Sequence, residues 1–304
     1  MRRIKLARRL QYILDFLPRK YPIHSPDQNF DQPFFIFGSG RNGSTMLNRM
    51  LNGHGELFLP SEQYFLGNSI IKFKLYNFLI WRDLVKIITG ELLPSTGSHT
   101  WDFGPDEVFQ ALNESSDKSL QQLIDTIYRV YGNKSQSFSK WGDTTPLNTF
   151  YIPEIYSVFP RAKYIFLVRD GRDVVASYKK GGEYLGKLSD PIIAANHWMN
   201  SIEKYDWLAK RNEVKCVQYE DLVHDPIKIL SEICHFLGVD FQESMLDFYK
   251  EKPKNELYAE PQHANLGKPV FASSIGNYMS SLEGQELSTV EKIINVGLDR
   301  FKYI

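Results

Sequence analysis

FFIFGSGRNGSTML, Phe34 to Leu47, is the stretch on which the fold turns. The four large apolar residues Phe34 to Phe37 read as a buried strand, Gly38 to Gly43 as a glycine-rich turn, and Ser44 to Leu51 as the helix that follows. A strand, turn and helix in this order leave unpaired backbone N–H groups and the positive end of the helix dipole facing whatever the turn encloses. Such a turn binds an anion. Gly38 and Gly43 have the Walker A separation, and Ser44 and Thr45 add hydroxyl donors. That pattern next requires a lysine, to reach the terminal phosphates of a nucleoside triphosphate, yet Gly43 runs directly into Ser44. The positive charge lies inside the loop instead, at Arg41, whose planar fork can hold two oxygens of a phosphate or sulfate. An ordinary glycine turn would need neither Arg41 nor consecutive hydroxyls. Gly40, Arg41, Asn42, Gly43, Ser44 and Thr45 are therefore expected to line an anion site, and the loop by itself leaves the nucleotide open.

The same plan recurs downstream. KYIFLV (Lys163 to Val168) reads as a second buried strand and DVVASYKK (Asp173 to Lys180) as a helix, with Asp170 as cap. Arg169 stands at the strand end, and Ser177 two helical turns beyond it, where a helix starting near Gly171 would turn it toward the same cleft. Two separated anion sites suit a nucleotide phosphorylated at two ends. VKCVQY (Val214 to Tyr219) reads as a third strand, and a helix is expected over Ile192 to Lys210. In DPIKILSEICHFLG, Asp225 is the cap, Pro226 the first helical residue and Gly238 the terminator. Strands alternating with helices predict an α/β fold, a P-loop-type parallel sheet flanked by helices. The aromatic-rich stretch Tyr64 to Leu93 reads as two more helices, an insertion walling an acceptor pocket.

The 304 residues, 42% hydrophobic and 14% aromatic, can bury one substantial core. One domain is expected over residues 33–304, preceded by a basic amphipathic helix and a polar linker over residues 1–32. Residues 1–20 carry seven Lys or Arg and one acid, with Ala7, Leu10, Leu14 and Leu17 at helical spacing. That helix has the make-up either to pack on the domain or to make peripheral contact with an anionic membrane. Lys plus Arg and Asp plus Glu are both 36, which excludes a global attraction to nucleic acid. Cys216 and Cys234 have no metal-ligand spacing, no apolar run approaches the ~20 residues of a membrane span, and a soluble cytoplasmic protein is expected. No metal is expected either, since none of the seven histidines shows the paired spacing of a zinc site. The Pro-, Gly-, Ser- and Asn-rich stretch from Lys252 to Gly284 reads as a mobile loop over the site.

Taken together, GSGRNGST and YIFLVRDGRDVVASYKKG resemble the two signature segments of the superfamily of sulfotransferases that use 3′-phosphoadenosine 5′-phosphosulfate (PAPS). The resemblance runs from about Pro33 to the C-terminus, and its loop is similar to the arginine-containing version of tyrosylprotein, bacterial and carbohydrate sulfotransferases. It implies that the first motif binds the 5′-phosphosulfate, that Arg169 and Ser177 bind the 3′-phosphate, and that the product is PAP. YEDLVHDPIKILSEICHFLGV resembles a further family segment in which Tyr219 contacts the nucleotide near its base. The tyrosylprotein branch has a catalytic glutamate twenty-one residues beyond the loop arginine, which here is Glu62. Glu62 is thus the expected base and Arg41 the group that neutralises charge on the bridging oxygen, with a glycan, a tyrosine or other phenol, or a small molecule as acceptor. The competing reading makes Glu62 an acid in the first turn of a helix capped by Ser61. His197 is a weaker candidate base.

The chain departs from the family at Thr144, where many members carry Lys, and at Asn277, where many carry Arg or Lys near the phosphosulfate. Lys140 and Lys268 are the candidates to compensate. Two further functions compete: a P-loop nucleotide kinase with Asp170 on magnesium, against which the missing Walker lysine argues, and a non-catalytic PAP-binding scaffold, which Thr144 and Asn277 motivate.

Overall fold

The computed structural model describes residues 19–92, 105–134, 137–250 and 273–304. The basic stretch up to residue 18 and Lys268 lie outside the described residues. Five strands, β1 (Phe34–Phe37), β2 (Leu57–Phe58), β3 (Lys140–Asp143), β4 (Lys163–Val168) and β5 (Val214–Gln218), form one parallel sheet in the order β2-β3-β1-β4-β5.

Both faces of the central strands are buried, which explains why β1 and β4 are apolar runs rather than alternating ones. Phe35 and Phe37 of β1, with Tyr164 and Phe166 of β4, enter one core. Phe34, Ile36, Ile165 and Leu167 enter the other, against α1 (Ser44–Asn52) and the helix Pro226–Leu237. Helices on both sides thus cover the sheet, and the chain changes direction beside β1. In open parallel sheets such a switch point leaves a crevice at the carboxyl ends of the strands.

The expected insertion appears as α2 (Leu66–Leu75) and α3 (Trp81–Thr89), followed by α4 (Pro105–Glu114) and α5 (Leu120–Gly132). α2 and α3 turn Ile70, Phe73, Leu84 and Val85 into the core. Tyr21 to Ser25, which reaches into the polar linker expected from His24 to Gln32, is fastened to the domain. Leu120 and Gln121 N–H donate to the carbonyls of Pro22 and Ile23, and Ser25 N–H donates to Gln121 Oε1 at 2.8 Å.

The capping signals act as their chemistry predicts. Asp170 accepts from Arg172 N–H to open α6 (Gly171–Lys180), Asp225 accepts from Lys228 N–H, and Gly238 closes its helix at φ 77°. The long helix spans Pro191–Ala209. β5 ends at Gln218, so Tyr219 begins a short helix, Tyr219–His224. No described helix is long and apolar enough to cross a membrane.

Candidate functional site

Gly40, Arg41 and Gly43 take left-handed backbone (φ 74°, 55° and 91°), the winding that turns successive N–H groups into a concave anion nest. The first bond of α1 runs from Leu47 N–H to the Gly43 carbonyl, so the N–H groups of Ser44, Thr45 and Met46 precede its ladder. Glycine is required at 43 for a second reason. A Cβ there would stand 2.5 Å from Tyr219 Cδ2.

Three side chains hold the loop in place. Asn42 Nδ2 donates to the Leu167 carbonyl of β4 at 2.6 Å, so Asn42 bolts the loop to the sheet and offers an anion only its backbone. Tyr178 donates its hydroxyl to the Ser39 carbonyl at 2.7 Å, and His197 Nε2 lies 3.1 Å from the same oxygen. A carbonyl only accepts, so this nitrogen carries the proton and His197 is spent behind the loop. Burial also holds its pKa down, the Ser39 bond opposing, and the histidine is a support rather than a base.

The two sequence motifs meet at Arg41. Its Nε donates to Ser177 Oγ at 3.0 Å, and Arg169 Nη1 donates to the Arg41 carbonyl at 3.1 Å. The Arg169 guanidinium lies 4.7 Å from the centre of the Tyr219 ring and 3.6 Å from Asp173, and Nη2 also donates to the Ser274 carbonyl. Arg169 Nε is buried without a partner among the described residues, a donor left over for a ligand. Burial lowers the Arg41 pKa, Tyr178 opposing and Arg169 reinforcing. With the nest and the unpaired Arg169 donor, the residues fit a nucleotide carrying anions at two ends.

Glu62 follows β2, and its Oε2 accepts the Tyr64 hydroxyl at 3.0 Å. α2 begins only at Leu66, so Glu62 is outside any helical first turn and the dipole-acid reading falls. Burial pushes its pKa up to about 7; the Tyr64 hydrogen bond opposes this, Asp143 reinforces it and Arg41 opposes it. A carboxylate that titrates near neutrality is suited to proton transfer. Tyr178 and Tyr184 lie near enough to act electrostatically on both Arg41 and Tyr64. Tyr184, 64% exposed, stands at the solvent side.

Lys140 does not stand in for the lysine absent at Thr144. Thr144 is buried and accepts from Asn48 Nδ2 at 2.8 Å. Lys140, expected to supply charge, donates to the Leu237 carbonyl at 2.8 Å, at the opposite end of β3. The late loop, expected to be mobile, is docked where it is described: Gly276 and Tyr278 N–H each donate to Asp173 at 2.9 Å. Asn277 is exposed beside that anchor.

Sequence reasoning missed Tyr64, Tyr178 and Asp143. Asp143 is fully enclosed at the end of β3 and accepts from Tyr128 Oη (2.6 Å), Thr145 N–H (2.8 Å) and Asn148 Nδ2 (2.8 Å). No group of three His, Cys, Asp or Glu that could hold a metal occurs among the described residues.

Residues 33–243 match the model of a family described as the sulfotransferase family. The chain is 22% identical over 226 residues to a putative protein-tyrosine sulfotransferase of Caenorhabditis briggsae, covering 73% of this chain and 71% of that protein. It is 29% identical over 124 residues to one of Caenorhabditis elegans, covering 40% of this chain and 48% of that protein. Among solved structures, the sulfotransferase domain of the Synechococcus PCC 7002 olefin synthase superposes with a TM-score of 0.58 at 22% identity, covering 92% of this chain and 98% of that one. The sulfotransferase domain from the curacin biosynthetic pathway superposes at 0.56 with 20% identity, covering 88% and 98%. At these identities the structures speak for the fold alone.

Proposed function

The chain belongs to the sulfotransferase family, and from that premise we propose that it moves the sulfuryl group of PAPS to an acceptor hydroxyl with Glu62 as general base. The observation that carries this is the convergence on Arg41: its guanidinium joins the anion nest to Ser177 at 3.0 Å, and its charge acts on the neighbouring Glu62.

In this reading the nest holds the 5′-phosphosulfate, while Arg169 and Ser177 hold the 3′-phosphate. Tyr219 lies against both Gly43 and Arg169, where an adenosine would sit. Glu62 takes the acceptor's proton, and the freed oxygen pair forms the new bond to sulfur. The sulfur–oxygen bond to the 5′-phosphate breaks, and its electron pair leaves on PAP. Arg41 and the N–H groups of Gly43 to Thr45 face the oxygen on which that charge develops. Tyr64 beside Glu62 and the exposed Tyr184 give the acceptor an aromatic entrance, which suits a flat acceptor such as a phenol. The similarity to protein-tyrosine sulfotransferases of Caenorhabditis species makes a tyrosine peptide the first acceptor to try.

The test is PAP release from PAPS with tyrosine peptides and simple phenols. Glu62→Gln should lose on the order of 10²-fold or more in turnover while still binding PAP, the share that a positioned base contributes. Turnover equal to wild type in that variant would overturn the assignment.

A further inference from the structure

Two polar supports converge on Glu62, and the transfer step as described uses neither. From the same segment, Tyr64 donates to Oε2 at 3.0 Å. From the sheet side, Gln63 N–H donates to Thr145 Oγ1 at 3.0 Å, and the Thr145 hydroxyl donates to Asp143 Oδ2 at 3.3 Å. The backbone beside Glu62 is thereby pinned to a buried carboxylate that is itself held by Tyr128 and Asn148. With the backbone beside it fixed, the glutamate keeps its three side-chain torsions, of which the last, the rotation of the carboxylate, is broad and two-fold. That rotation exchanges the two oxygens, and a donor fixed on one of them stops it.

We propose that Tyr64 is a positioning residue of the transfer step, its hydroxyl holding Glu62 Oε2 so that Oε1 is the oxygen that takes the acceptor's proton. The inference rests on Glu62 being the base. The proton passes from the acceptor hydroxyl to Oε1, the acceptor oxygen bonds to sulfur, and PAP leaves with the electron pair of the broken sulfur–oxygen bond. Tyr64 keeps its own proton throughout, because burial and the adjacent Glu62 charge push its pKa far above the ordinary phenol range.

The groups that face Glu62 are Tyr64 on its own segment, Arg41 from the glycine loop, Asp143 at the end of β3, and Tyr178 on α6. Tyr64 and Arg41 favour the ionised carboxylate, and Asp143 with burial disfavours it. Removing the Tyr64 hydroxyl therefore moves the Glu62 titration upward and leaves its two oxygens interchangeable. The nucleotide contacts are elsewhere and should not change.

The experiment is a double-mutant cycle of Tyr64→Phe and Glu62→Gln, with PAPS and 2-naphthol as substrates, PAP affinity as the control for folding, and kcat followed against pH. Tyr64→Phe alone should lower kcat about tenfold, as a lost hydrogen bond to a charged group does, leave the KM for PAPS unchanged, and shift the acidic limb of the profile to higher pH. In the Glu62→Gln background the same substitution should change nothing. An unmoved limb, or a loss of kcat that simply adds to that of Glu62→Gln, would overturn the role of Tyr64. If Glu62→Gln retains wild-type turnover, the assignment of the base fails on its own, independently of Tyr64. An infrared titration of the carboxyl band that Glu62→Gln removes gives the same comparison without turnover: an upward shift in Tyr64→Phe supports the role and an unchanged midpoint refutes it.

Discussion

Replacing Gly43 with alanine should separate two costs that coincide at one atom. Gly43 has φ 91°, where an L side chain is strained, and its added Cβ would lie 2.5 Å from Tyr219 Cδ2. The backbone part amounts to about 1–2 kcal/mol of stability. Relief of the overlap requires the Tyr219 ring to move, and that ring is what the Arg169 guanidinium lies over at 4.7 Å. Loss of a cation–π contact of this kind is worth about 0.5–2 kcal/mol, so the PAP dissociation constant should rise about 2- to 30-fold. Gly182 provides the control, because it too has positive φ (54°) but nothing within 4 Å of a new Cβ. Gly182→Ala should reduce Tm by a few degrees, about as much as the backbone part of Gly43→Ala, and leave PAP affinity unchanged. The assay is calorimetric titration of PAP beside thermal melting of both variants. Wild-type PAP affinity in Gly43→Ala, or an equal loss of affinity in Gly182→Ala, would refute the claim that the glycine exists to admit Tyr219.

Three further outcomes follow from the same structure. Tyr128→Phe removes a 2.6 Å donor from the enclosed Asp143 carboxylate and should cost about 1.5–3 kcal/mol in denaturant unfolding, with unchanged m. Burial raises the Glu62 pKa in the folded state to about 7 from the ordinary 4.5, so the folded state binds the extra proton between those values. Its contribution to stability is then present at pH 4 and lost as pH rises through about 7, and Glu62→Gln should raise Tm relative to wild type at pH 8 but not at pH 4. Arg169→Lys keeps the charge but loses the fork that reaches the Arg41 and Ser274 carbonyls and the flat face over Tyr219, and should weaken PAP binding about 10- to 100-fold in titration.

What the sequence disclosed follows the strength of local signals. β1, β4 and β5, and the helices that follow them, are written in apolar runs, caps and a terminating glycine, and the structure places them within a residue or two of those marks. β3 escaped because KWGD has neither an apolar run nor alternation. Its burial depends instead on partners for Asp143 supplied by Tyr128, Thr145 and Asn148, which no local pattern announces. α4 and α5 escaped although Ser119 caps α5 through Gln122 N–H.

At the site, Tyr219 entered through the resemblance, whereas the grouping of Arg41, Arg169 and Ser177 was legible because each stands at a fixed offset from a strand end. Tyr178 was not, because a tyrosine within a helix reads as core until the fold brings its hydroxyl to Ser39, 139 positions away. Lys140 shows the same limit: it stands four positions before Thr144, yet it opens β3 and reaches the Leu237 carbonyl, while Thr144 lies just past the other end of that strand.

The central claim is that one cleft binds a nucleotide at two anionic ends, with Arg41 and Arg169 as the charges that recognise them. A thermal-shift titration with PAP, run on wild type, Arg41→Ala and Arg169→Ala with ATP plus magnesium alongside, tests it most directly. The account predicts that PAP raises the wild-type Tm, that either substitution abolishes the shift, and that ATP does little. Stabilisation by ATP and magnesium with no response to PAP, or a PAP response that survives both substitutions, would contradict it.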